Sequence, residues 1–85
     1  MTPLDETIRI EAETRWDALD LARRLSRHHT YLVQLGDRRW HVCVRTDDAE
    51  FELEPVRAVA EGWAVERRLE TTLRRGAETY ELHGA

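Results

Sequence analysis

The sequence predicts an α+β domain, an antiparallel sheet with two helices on one face. Three observations predict it. Alternation of apolar and polar residues, the mark of a half-buried strand, recurs at the start, middle and end of the chain. Two stretches with apolar residues at helical spacing separate those strands. The middle stretch, Thr30 to Arg45, also reads as a β-hairpin. The resulting order, β-α-β-β-α-β, is the split-βαβ or ferredoxin-like arrangement, and residues 1–85 are taken as one domain.

In the hairpin, Gly36-Asp37 suits a two-residue type II′ turn, because Gly at the first central position permits positive φ. That turn pairs Leu35 with Arg38, Val33 with Trp40 and Tyr31 with Val42. Side chains alternate along a strand. One face then carries Tyr31, Val33, Leu35, Trp40, Val42 and Val44 toward the core. The other carries Thr30, Leu32, Gln34, Arg39, His41, Cys43 and Arg45.

Ahead of the hairpin, Thr7 to Ala12 alternates as a strand with Ile8, Ile10 and Ala12 inward. Thr14 with Asp17 forms a capping-box-like start to a helix over about Arg15 to His28. Its apolar stripe is Ala18, Leu21, Ala22 and Leu25, which leaves Trp16 and Leu19 off the stripe. Arg23, Arg24 and Arg27 sit near its C-terminal end, where the helix dipole favours cations.

After the hairpin comes an acidic turn, Thr46-Asp47-Asp48, and a short extended segment at Phe51 to Leu53, which would become a fifth strand in the chief competing arrangement. Pro55 fits the first position of a second helix that runs through Val56 to at least Leu69 and is expected to reach Arg75, with Gly76 as its left-handed end. Unbroken, that helix is about 31 Å long. It has two apolar stripes. Val56, Val59, Ala60 and Trp63 suit the sheet, and Ala58, Gly62, Val65 and Leu69 lie nearly opposite. Glu78 to His83 closes the chain as a strand with Tyr80 and Leu82 inward.

A domain of 85 residues buries only about 60% of its unfolded surface, so a partner subunit would help its stability. No apolar run is long enough for a membrane span, and the acidic, Pro-interrupted start lacks a secretory pattern, which makes the cytoplasm the default location. A single cysteine excludes an internal disulfide. The net charge of −4 argues against non-specific nucleic-acid binding. All 13 basic residues are Arg, which a GC-rich genome explains without any function.

No motif specifies a reaction, a metal or a cofactor, so none is expected. His41, Cys43 and His83 are soft-metal ligand types, but their loose spacing is better explained by ordinary sheet residues. An RNA platform would need aromatic residues on the outer sheet face, where this reading places none. The second stripe of the long helix is the most suggestive feature. Gly62 costs about 1 kcal/mol in a helix interior, and with Ala58 and Val65 it lets another helix approach closely. The expected function is a non-enzymatic protein-interaction or assembly domain that self-associates through Ala58, Gly62, Val65 and Leu69, with help from Trp16. The alternative is binding of nucleic acid or another anionic ligand through Arg38, Arg39 and Arg45 and the helix-end arginines.

Overall fold

The centre of the sheet is set by the cleanest alternation in the chain. In β1 (Ile8–Ala12), Ile8, Ile10 and Ala12 are buried and Arg9 is exposed. The computed structural model describes residues 7–46 and 52–84. The remaining elements are α1 (Arg15–Arg24), β2 (Thr30–Gly36), β3 (Arg39–Val44), α2 (Leu53–Arg67), β4 (Glu70–Arg75) and β5 (Glu78–His83). They build one five-stranded antiparallel sheet in the order β2-β3-β1-β4-β5. One face buries Ile8, Ile10, Val42, Val44, Leu73 and Leu82 against Ala18, Leu21 and Leu25 of α1 and Val56, Ala60, Trp63 and Ala64 of α2.

The fold is therefore α+β with two helices, as expected, but its strand order differs from the four-stranded ferredoxin-like expectation. The strand beside β1 is β4, not the chain's last strand, and Glu78–His83 lies at the sheet edge.

Three further expectations are corrected. The second helix stops at Arg67 instead of reaching Arg75, because Arg68 adopts the left-handed conformation (φ 57°, ψ 49°) and its N–H returns to the carbonyls of Ala64 and Val65. Thr71 and Thr72 are β-branched and favour a strand. Gly76, at φ 59°, turns β4 into β5 instead of ending a helix. At its other end α2 begins at Leu53, so Pro55 still falls in the first turn, where no N–H is needed. Leu53 is thus helical, and Phe51 lies outside the described residues.

The first helix ends at Arg24, short of His28. The chain tightens there through bonds from Ser26 N–H to the Arg23 carbonyl and from His28 N–H to the Leu25 carbonyl. The Thr30 hydroxyl, 3.1 Å from the carbonyls of both Leu25 and His28, caps the turn. At the start of the helix the Thr14 hydroxyl accepts the Asp17 N–H at 3.0 Å, as expected.

The hairpin exists, but its register is shifted by one residue. Leu32 pairs with Val42 and Gln34 with Trp40, and an irregularity between Gln34 and Gly36 leads to Gly36 opposite Arg39. The reversal falls at Asp37-Arg38. Gly36 is not at positive φ, so the type II′ turn does not form. Leu32 now faces the core with half-buried Trp40, while Tyr31, Val33 and Leu35 face away and are exposed. Each face of β2 carries apolar residues, Leu32 on one and Tyr31, Val33 and Leu35 on the other, so its pattern specifies register weakly.

Candidate interaction surface

The helices are joined by charge as well as by packing. Arg67 Nε donates to Asp17 Oδ1 at 2.5 Å, and Arg24 bridges Asp20 at 3.2 Å and Glu66 at 2.8 Å. The Asp17 carboxylate, expected at the helix start, is thus spent on α2. Arg24 is likewise committed to the helix pair, while Arg23 and Arg27 stay exposed. Between the helices the fully buried Trp63 donates from Nε1 to the Asp17 carbonyl at 3.1 Å.

With the helices on one face, no other described element covers the opposite face of the sheet. Cross-strand pairing fixes its rows. Tyr31, Cys43, Arg9, Arg74 and Thr79 form one, and Val33, His41 and Glu11 belong to the next. Arg39 reaches Glu11 at 3.3 Å, so one of the expected anion-contacting arginines is tied to a carboxylate. Arg38 and Arg45 are exposed. Arg9 lies directly opposite Arg74, and neither makes an ion pair with a described residue.

His41 and Cys43 share this face, but His83 is on β5, with β1 and β4 between. His83 pairs instead with Glu81 at 3.3 Å. Among the described residues no three His, Cys, Asp or Glu side chains gather as metal ligands would. Burial lowers the pKa of His41, with Arg39, Arg9 and Arg74 acting in the same direction against Glu11. Burial raises the pKa of the Cys43 thiol, opposed by Arg9 and by a hydrogen bond with Tyr31. A thiol held protonated is a poor nucleophile. An open depression of about 660 Å³ lies at the β1–β4 end, lined by Glu11, Glu13, Arg68, Glu70 and Arg74 among others; its carboxylates and guanidiniums offset one another.

The exposed large apolar side chains mark the surface better. They are Trp16 (73% exposed), Val65 (55%), Leu35 (47%), Tyr31 (46%) and Val33 (37%). The outer stripe of α2 is open, since Ala58, Gly62 and Val65 are all exposed, but Leu69 is half-buried and packs against the core. Val65 is the only large apolar group left on that stripe, whereas β2 carries three together. Register hid the β2 group from sequence reasoning. The available signal was that Thr30–Gly36 is the chain's longest run free of charged residues, apart from the two histidines before it.

No family model, curated protein or solved structure matches the chain. What stands is the class defined by the geometry: a small α+β unit with a five-stranded antiparallel sheet and two helices. No helix among the described residues is long and apolar enough to cross a membrane.

Proposed function

We propose that this chain is a small, non-enzymatic, cytoplasmic protein-interaction domain that associates with its own copies. The observation that carries the proposal is the large apolar side chains left in water by so small a fold, three of them contiguous on β2. The exposed Ala58-Gly62-Val65 stripe of α2 and the exposed Trp16 of α1 offer further apolar surface. Within the fold, we read β1 to β4 as a ferredoxin-like unit with β5 added outside it, a reading supported by the order β4-β1-β3-β2. Light scattering from about 10 to 500 μM tests the function: a mass that rises with concentration supports it, and a strict monomer throughout overturns it.

A second reading, anionic-ligand binding, is favoured by one observation. Like charges directly opposite destabilise a sheet, yet Arg9 faces Arg74 without an acidic described partner. Titration with phosphate and with short RNA at low salt tests it, and binding that weakens with salt and disappears in Arg9→Gln supports it. Arg38, Arg39 and Arg45 then play the lesser part, Arg39 being engaged with Glu11.

A further inference from the structure

The two edges of the sheet are unlike. β5 carries Glu78 and Glu81, charges of the kind that discourage pairing with another strand. β2 carries no charged residue over its 7 positions, in a chain where 35% of residues are charged. Its backbone is also ready to pair. The Arg45 N–H donates to the His29 carbonyl at 3.0 Å, which makes His29 and Arg45 a hydrogen-bonded pair. In an antiparallel ladder, bonded residues alternate with outward-facing ones. The N–H and C=O groups of Leu32 and Gln34 therefore point out of the sheet, toward the edge where β2 has no neighbour among the described strands.

We infer that two copies of this chain join antiparallel through their β2 edges, about a twofold axis at Val33, to form one ten-stranded sheet. The inference rests on the self-association proposed above and names its surface. Antiparallel self-pairing in this register sets Val33 against Val33 and Tyr31 against Leu35 of the second copy, so the exposed apolar groups cover one another. It also sets exposed His29 near exposed Asp37 of the second copy at each end of the strand. A parallel arrangement would instead set like against like. On the helix face, α1 packs over β2 and β3, so the two α1 helices approach across the axis. A second copy fits this edge because the uncharged strand is complementary to itself in shape, with His29 and Asp37 just beyond its ends.

The test uses the full chain and two variants at exposed positions, Val33→Lys on the edge and Val65→Lys on the outer side of α2. The expected result is a wild-type mass near 20 kDa, twice the 10.0 kDa chain, at high concentration. Val33→Lys, with unchanged circular dichroism, should stay at 10.0 kDa, with association weakened at least about tenfold, while Val65→Lys should still dimerise. A folded Val33→Lys that dimerises like wild type overturns the edge pairing and leaves self-association standing; loss of the dimer in Val65→Lys alone moves the contact to α2. A monomeric wild type overturns both. Should Val33→Lys fail to fold, amide exchange in the wild type decides. The Leu32 and Gln34 amides should exchange slowly at high concentration and quickly on dilution, and equal rates at both overturn the inference.

Discussion

Replacing Trp63 by Phe tests how the helices are held over the sheet. The indole is fully buried, and its Nε1 bonds to the Asp17 carbonyl at 3.1 Å. Phenylalanine loses that bond, a net cost of about 1 kcal/mol, because a helical carbonyl keeps its intrahelical partner. The smaller ring leaves a void of roughly 40 Å³, about 1 kcal/mol at ~24 cal/mol per Å³. Lost apolar burial adds about another 1 kcal/mol. The sum is about 3 kcal/mol, a large part of the total for a domain whose stability falls roughly between 4 and 13 kcal/mol. At ~4–8 °C per kcal/mol, Tm should drop by on the order of 15 °C. Urea and thermal unfolding followed by circular dichroism, below any association threshold, measure both. A loss under about 1 kcal/mol would refute the placement of the indole between α1 and α2.

Other consequences are equally open to measurement. Arg68 holds a left-handed conformation that glycine adopts freely, so Arg68→Gly should stabilise the fold by about 0.5–1 kcal/mol, read as a higher urea midpoint at unchanged slope. Gly84 is buried against the C-terminal end of α2, where an added Cβ would fall on the Ala64 carbonyl and the Leu69 backbone. Gly84→Ala should therefore cost at least ~1–3 kcal/mol by thermal unfolding, and a neutral result would contradict the packing. His41 has a lowered pKa, so the unfolded chain binds its proton more readily than the folded one. Its contribution is fully present above the ordinary histidine range near 6.5 and is lost as pH falls through that range toward the lowered folded value. Urea unfolding between pH 7.5 and pH 5 should show that loss diminished in His41→Gln, and an NMR titration midpoint for His41 at or above 6.5 would sink the assignment.

What was legible in the chain follows from how strongly each segment is constrained. β1 announced itself because its two sides differ sharply in polarity, and Thr14 because capping chemistry is local. The inward face of β3, with Val42 and Val44, was equally plain. β2 was misread because Leu32 on one side and Tyr31, Val33 and Leu35 on the other make either orientation chemically acceptable; only the helices above it and the irregularity after Gln34 decide. β4 reads as helix because Leu69 continues the spacing of Val65, whereas Thr71-Thr72 before Gly76 is the contrary signal. The α2 stripe is legible because helical spacing depends on no partner; Ala58, Gly62 and Val65 are exposed, whereas Leu69 lies past the helix end and is half-buried. The exposed group on β2 was missed for the same reason as the register.

The position of β1 bears on how the chain reaches its final form. Ile8 is opposite Val44 on one side and Arg75 on the other. The two hairpins can zip from neighbouring residues, but β1 finds β4 only after the intervening residues 13–69 have been made. Closing such distant pairings is slow relative to local ones. Until β4 arrives, Ile8 and Ile10 stand at an unfinished margin, and the nascent chain is most vulnerable to misassembly in that interval.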